Sequence, residues 1–546
     1  MNTMKRFLLL LCLTSIVVLL AVTLISCDEQ PVVTEAESTS TVIETTTELP
    51  VTTEVLVNGL PNYVDGKLFI IEDGKTNYQV VYPKNATANL NGGSFFSSAL
   101  TQVRKVFKNY GLQMVTIAND FSASEGSSTG VLSDYEILIG NTNRAESDIS
   151  DQTLAFNQAL IRVVGKKVVI SSNNYAVTAM AVLAFLDRYM PDGGKSVLLP
   201  ADLNEVITVA FTTCLPLGMS YAEMGEATLS AYNDSFWDGK WVNTGRFWTG
   251  AEVLESYIDV YEATGAKKDK EAMVSYANQF IKAWGSTWGG ISYNDDLMWG
   301  SIAFARLAKL TRDPMYLNIA KQNFDLNWKR AWDDTLGGGL WWRSQKDSKN
   351  ACVNGPGAIA ACLLGDLTGD EGYYQKAKSI IDWMLAELYV PETGRVIDSY
   401  STSGEKSDYA STYNQGTFIG ACTYLYQHYK DAKYLAYAKK SCEFSMTQLA
   451  TKGILDLESN VKNADLPGFK AILIRWMYRY AKETNDIDSF VFIQQNATKA
   501  FQNRNADGLI WTGWGGKTPN EATRNKEYLW GSSTAITLMY SCFPWW

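Results

Sequence analysis

Residues 289–299, Gly289-Gly290-Ile291-Ser292-Tyr293-Asn294-Asp295-Asp296-Leu297-Met298-Trp299, set two consecutive aspartates where a glycine- and tryptophan-rich loop turns into an apolar run of helical period. Adjacent carboxylates repel, so one of them is expected to hold its proton to higher pH, which is what a general acid needs. The pair falls in the first turn of a predicted helix, with Asn294 in the N-cap position, and the helix dipole there favours an ionised carboxylate. Asp295 and Asp296 would therefore titrate as one coupled unit. Glycosidases that retain configuration hold their two carboxyls about 5–5.5 Å apart and inverting ones about 6.5–9.5 Å. Neighbouring residues reach the shorter distance, although spacing along the chain does not fix it. The competing reading is a pair of ordinary solvated loop acids.

The composition narrows the chemistry further. The net charge of −10 argues against a nucleic-acid partner, and 46% hydrophobic residues are ample for a large core. The single histidine, His428, lies near a predicted helix end, which argues against Ser-His and Cys-His triads and against a histidine-ligated zinc. Cys214, Cys352, Cys362, Cys422, Cys442 and Cys542 show no CxxC spacing and read as buried small apolar residues, with disulfides left open. No metal-ligand cluster, phosphate loop or nucleotide fingerprint is present, so no cofactor is expected. The 17 Trp and 29 Tyr offer flat faces of the kind that sugar rings stack on, and equally well fill cores.

Lys5-Arg6 and the apolar run 7–25 form a leader that ends in Leu24-Ile25-Ser26-Cys27. That ending resembles a bacterial lipobox. It implies a signal peptide over 1–26, a lipid on Cys27, and anchoring at the extracellular face of a membrane, leaning to a Gram-positive bacterium; an uncleaved transmembrane anchor is the lesser alternative. The Thr- and Glu-rich segment 27–60 is expected to be a disordered tether. From 61 to 213 the pattern is mixed: a hairpin from 67–71 and 78–82 around Asp73-Gly74, a helix over 97–110, a short strand at 135–140, a second hairpin at 161–171, and a helix over 175–189. This reads as a small α/β accessory domain.

From 214 to 546 helix follows helix. The turns Ala263-Thr264-Gly265, Leu310-Thr311-Arg312-Asp313, Leu367-Thr368-Gly369-Asp370, Tyr429-Lys430-Asp431 and Glu483-Thr484-Asn485-Asp486 recur about every 50–60 residues. Twelve helices in six hairpins predict a mainly α fold, an (α/α)6 barrel preceded by the α/β domain; an open solenoid is the alternative. Short turns alternate with long connections at 285–294, 330–353, 389–413, 450–467 and 503–526, which must all emerge at one face. That face collects Trp, Asp and amide side chains, a set suited to hydroxyl-rich substrates.

The segments Tyr293-Asn294-Asp295-Asp296, Trp332-Asp333-Asp334-Thr335, Gly337-Gly338-Gly339-Leu340-Trp341-Trp342, Lys349-Asn350-Ala351, Tyr413-Asn414-Gln415-Gly416 and Phe469-Lys470, in this order over about 230–540, resemble glycoside hydrolase family 76, the endo-α-1,6-mannanases. The resemblance implies retaining cleavage of α-1,6-mannan, with Asp295 as nucleophile and Asp296 as acid/base. It also implies substrate contacts from Tyr293, Trp341, Trp342, Asn350, Asp398, Asn414 and Gln415, and Asn354, near the end of a loop on the same face, is expected to join them. Against these stand plain structural roles: a tight turn with core aromatics for 337–342, helix caps for Asn414 and Gln415, a capped loop for Asp333-Asp334, and a buried ion pair for Arg475. The expected partner is α-mannan or a related polysaccharide, bound by a monomer. Transglycosylation on α-mannosides and non-catalytic glycan capture are the alternatives. The residues 75–78 and 136–142, with the hairpin and helix that follow, resemble the accessory domain ahead of catalytic domains in α-glucuronidases and hexosaminidases.

Overall fold

The computed structural model describes residues 63–64, 66–89, 92–120, 133–191, 194–462 and 464–546. The expected signal peptide 1–26, the lipidation site Cys27 and the tether 27–60 lie outside the described residues.

Residues 63–208 build an α/β layer from strands β1 (Tyr63–Val64), β2 (Lys67–Glu72), β3 (Gln79–Tyr82), β4 (Ile117–Asn119), β5 (Glu136–Ile139), β6 (Gln158–Val164), β7 (Lys167–Ser171), β8 (Ser196–Pro200) and β9 (Asn204–Thr208), with helices α1 (Gly93–Asn109) and α2 (Tyr175–Tyr189). The main sheet has the order β4-β3-β5-β7-β6-β9, in which β3, β4, β5 and β7 run parallel. The hairpin expected at 161–171 is present as β6 and β7, paired antiparallel through Val164 and Lys167. The hairpin expected around Asp73-Gly74 is not. Its turn forms, but β2 pairs with β1 and β8 in a separate small sheet, while β3 enters the main one. Thr76 anchors the divergence: its hydroxyl donates to the Ile70 carbonyl at 2.6 Å and accepts from the Tyr78 amide at 3.0 Å. Two apolar runs around a turn signal cannot reveal which neighbour each strand will choose.

The rest of the chain forms α3 (Tyr221–Phe236), α4 (Phe247–Thr264), α5 (Lys267–Trp284), α6 (Asn294–Thr311), α7 (Pro314–Ala331), α8 (Ala351–Thr368), α9 (Glu371–Glu387), α10 (Thr412–Tyr429), α11 (Lys433–Gln448), α12 (Phe469–Thr484), α13 (Ile487–Gln502) and α14 (Leu529–Tyr540). The even-numbered helices α4, α6, α8, α10, α12 and α14 pack each on the next, and α14 returns to α4, so the ring closes. The odd-numbered helices lie outside it. This is the (α/α)6 barrel, and an open solenoid is excluded by the α14–α4 contact.

A crowded inner ring needs small residues. A Cβ on Gly416 would come within 2.6 Å of the Leu473 Cα, and one on Gly355 within 2.2 Å of the Thr417 hydroxyl, so glycine lets α8, α10 and α12 approach. The repeated turn signature also has a local cause. Thr311 and Thr368 donate their hydroxyls back to the carbonyls of Leu307 and Leu364 at 2.7 and 2.6 Å, Arg312 and Gly369 take left-handed φ, and Asp313 and Asp370 cap the next helices.

The two parts share a core. Ala481, Phe490 and Val491 of α12 and α13 pack into the cluster that fills the α/β layer, and Phe211 meets the Phe490 ring edge-on at 6.1 Å. Gln494 ties the Phe211 and Cys542 carbonyls together at 2.9 Å each. The six cysteines from Cys214 onward are free and buried.

At the short-turn end, arginines fill the barrel axis. Arg306 donates to Glu255, Asp259 and Glu262 at 2.8, 2.7 and 2.7 Å, and Arg475 to Glu252 and Asp259 at 2.7 and 2.9 Å. Burial pushes the Glu262 carboxyl up, but Arg306 and Arg479 outweigh it and hold it down at about 2. Arg475→Met would leave Glu252 buried without its arginine and Asp259 with Arg306 alone. It is expected to cost about 3–5 kcal/mol, read as a lower urea midpoint.

Candidate active site

All long connections open at the N-terminal ends of the inner helices, and buried side-chain amides pin their backbones. Asn354 on α8 accepts from the Leu340 amide at 2.7 Å and donates to the Leu340 carbonyl at 3.0 Å. Gln415 on α10 treats Val396 in the same way, at 2.9 and 2.7 Å. The Lys349 ammonium, itself buried, collects the carbonyls of Asp333, Thr335 and Gly338 at 2.9, 2.6 and 2.6 Å. These contacts give the glycine-rich loop 337–339 its shape.

Asn294 starts α6, and its side chain makes no cap bond, contrary to the N-cap role expected of it. It is taken up by tertiary contacts instead. Its amide nitrogen donates to the Trp341 carbonyl at 2.8 Å, its oxygen accepts from Arg330 at 2.6 Å, and its backbone N–H reaches the Trp342 carbonyl at 2.7 Å. Arg330 also draws in the Ile291 carbonyl at 2.9 Å. The start of α6 is thereby clamped between two loops, which fixes the direction of the next two residues.

Those residues are Asp295 and Asp296, both half-buried in the first turn. Burial raises both carboxyls well above the usual range, and among the described residues no cation is a main cause of either shift. Their surroundings differ. Asp295 is pulled back down by donors at Trp342 and Cys352 and by the backbone amides of the first turn. One of its oxygens, Oδ1, is buried without a hydrogen-bond partner among the described residues. Asp296 gains no such donors; the charges of Asp295 and Asp465 raise it further. The first carboxyl is thus the easier to ionise and the second the better proton store.

The mouth of the barrel around them is aromatic. Trp248, Tyr413, Phe469 and Trp530 are the first or second residues of α4, α10, α12 and α14. With Trp299 they form a continuous cluster: Tyr413 stacks on Phe469 at 3.8 Å, and Trp248 meets Trp299, Phe469 and Trp530 at 6.2, 6.1 and 5.0 Å. Asp465 sits at its edge, held by Arg246 at 2.8 Å and the Trp248 indole at 3.3 Å. Sequence reasoning quoted Trp299, Tyr413 and Phe469 in its segments but gave them no site role, and it missed Trp248, Trp530 and Asp465. The available signal was positional: an aromatic at the start of four of the six inner helices.

The other residues expected at the site divide in two. Tyr293, 42% exposed, and Trp342 lie together at 5.3 Å beside the pair, with aromatic surface open to a ligand. Asp398 is raised by burial and is held by Asn350 and Asn414 at 3.5 and 3.2 Å; its charge and that of Asp295 both bear on Cys352 and Tyr413. The Asn414 oxygen has no partner among the described residues. Trp341, Asn354 and Gln415, by contrast, are buried in the scaffold and not open to a ligand. The Trp341 indole donates to Asp333 at 2.7 Å beneath the Lys349 ammonium, and the two amides are spent on loop backbone. Asp333 caps its own loop through the Thr335 amide at 3.1 Å, and Arg475 lies in the ion network at the other end.

The family profile described as "Glycosyl hydrolase family 76" matches residues 221–536, the whole of the ring from α3 into α14. The chain belongs to this family. Among curated proteins it is similar to the mannan endo-1,6-alpha-mannosidase DCW1 of Candida albicans, 29% identical over 34% of this chain and 46% of the relative. The DCW1 of Saccharomyces cerevisiae is 28% identical over 36% and 47%. The chain spans about half the length of the curated relatives it matches. Among solved structures it is similar to an α-1,6-mannanase from Salegentibacter sp., at 28% identity and a TM-score of 0.53, covering 59% of this chain and 99% of that one. The same mannanase has been solved as an inactive variant, with two consecutive aspartates replaced by asparagine, in complex with α-1,6-mannotriose. One expectation is corrected by these matches: the curated relatives are yeast proteins, and on that finding the placement on a lipid-anchored, Gram-positive bacterial surface does not stand.

The electrostatics of the pair make a pH prediction. Turnover by one ionised and one protonated carboxyl gives a bell-shaped kcat/KM profile. With both groups raised, its acid limb lies above the ordinary carboxylate value of about 4. Asp465→Asn removes a negative charge that helps Asp296 keep its proton, so the Asp296 pKa falls. The alkaline limb should move to lower pH by about half a unit to one unit.

Proposed function

We propose that the barrel hydrolyses α-1,6-mannosidic bonds of mannan with retention of configuration, with Asp295 as nucleophile and Asp296 as acid/base. The observation that carries this reading is the unneutralised pair on the first turn of α6, with donors on one member and only repulsion on the other. The names of the curated relatives support the substrate class, and the inactive doubly substituted mannanase supports the pair.

In the first half-reaction the protonated Asp296 carboxyl gives its proton to the glycosidic oxygen as the C1–O bond breaks. The Asp295 carboxylate forms a bond to C1, giving a glycosyl ester. In the second, the Asp296 carboxylate takes a proton from water, the hydroxyl adds to C1, and the ester bond breaks to restore the Asp295 carboxylate. Both groups return to their starting states, and two inversions at C1 give net retention. Adjacent residues on one helix turn suit the shorter carboxyl separation that this path requires. Tyr293 and Trp342 offer stacking surfaces for sugar rings, and Asp398, with Asn350 and Asn414 behind it, offers acceptors for ring hydroxyls.

The test uses linear α-1,6-mannan and a reducing-sugar assay. Asp295→Asn and Asp296→Asn are each expected to lower kcat by at least about a thousandfold, with the thermal midpoint little changed. The first product observed by NMR should be the α-anomer. Full activity in either variant would overturn the assignment of the pair, and a β-anomer would overturn retention.

A further inference from the structure

Outside the barrel mouth, the α/β layer has a built cavity that the hydrolytic site does not use. Chain leaving β3 crosses by α1 to β4 on one side and then returns to β5 on the other, so the carboxyl ends of β3 and β5 face a topological switch point. Open α/β sheets form ligand crevices at such points. Here the crevice is bounded by Gly140, just after β5, whose left-handed φ of 87° sets it against Pro83; a Cβ there would come within 3.2 Å of the proline ring.

Beyond that contact lies a cavity of about 410 Å³, lined among others by Asn141, Ser172, Asn173, Asn174, Thr178 and Asp488. Its wall is already ordered. The Ser172 hydroxyl donates to the Asn174 carbonyl at 2.7 Å and lies 2.9 Å from the Thr178 hydroxyl. The Asn174 oxygen caps α2 through the Ala176 amide at 2.8 Å, and its nitrogen donates to Asp488 on α13 at 2.7 Å. Asn141 and Asn173 are exposed at its rim. Among the described residues that line the space there is no lysine or arginine, which disfavours an anion. Amides that donate and accept side by side, hydroxyls and one carboxylate match the paired hydroxyls of a neutral sugar. The volume falls within the range of about 300–1,000 Å³ typical of small-ligand sites.

We propose that this crevice is a second carbohydrate site that holds a neutral mannoside end while the barrel acts on another part of the same polymer. The choice of mannoside rests on the proposed function; the site itself rests on the cavity and its lining. Because Asp488 belongs to an outer helix of the barrel, a sugar held there contacts both parts of the chain at once.

The test titrates α-1,6-mannotriose into the full-length protein carrying Asp295→Asn and Asp296→Asn, followed by calorimetry. Two binding events are expected. Adding Asn141→Ala and Asn173→Ala should weaken one of them by about tenfold and leave the other unchanged. In the catalytically intact chain, the same two alanines should leave kcat/KM on mannotriose unchanged and raise KM on long mannan. One binding event in both proteins would overturn the inference, as would displacement of the second event by inorganic phosphate. Absence of hydrolysis by the unmutated chain would instead count against the proposed function, so the two failures are distinguishable.

Discussion

The barrel mouth depends on buried side-chain amides that substitute for missing backbone partners. Long loops at the end of a helical ring expose N–H and C=O groups that no strand or helix satisfies, and burying them unpaired costs free energy. Asn323 meets this need for Trp288 and Ser286 at 2.8 Å each, Asn354 for Leu340, Gln415 for Val396, and Asn496 for Leu455 and Gly453 at 2.9 and 3.0 Å. Lys349 and Lys470 do the same for groups of carbonyls. All but Lys349, which lies in the 330–353 connection itself, reach from a helix to a connection. The loops are consequently as well placed as the helices, and the carboxyls they surround inherit that order.

The two ends of the ring treat buried charge in opposite ways. At the short-turn end the acidic groups face arginines, and the ionic bonds close on one another. At the mouth, Asp295 and Asp296 form no ion pair among the described residues, and Arg246 is engaged by Asp465. An uncompensated pair is unfavourable for folding, and such strain collects at sites that do chemistry.

The barrel was legible because its turns repeat: Thr311 and Thr368 with the Asp that follows each mark a helix end by a local mechanism, and local mechanisms show in sequence. The β6–β7 hairpin was legible for the same reason. The pairing of β2 and β3 was not, since strand partners are chosen by distant segments such as β8. At the site, Asp295 and Asp296 stood out by type and position. Trp341, Asn354 and Gln415 were misplaced because a polar or aromatic side chain near a cleft looks alike whether it faces a ligand or a loop backbone. Only the direction of its bonds separates the two, and that is set by tertiary structure. Asp465 carried no distinguishing neighbour in sequence, and its influence on Asp296 appears once the loop before α12 is folded.

Placing both carboxyls on consecutive residues has a mechanical outcome. In a dyad whose members sit on different elements, every breathing motion of the scaffold alters their separation. Here one planar peptide unit inside a helix turn joins the two Cα atoms, so their separation is fixed and only side-chain rotation alters the distance between the carboxyls. Thermal expansion of the ring can tilt α6 as a whole, yet it cannot pull the two backbone positions apart. Sensitivity to temperature should then reside in the surrounding walls, which can loosen well before Asp295 and Asp296 lose their common backbone.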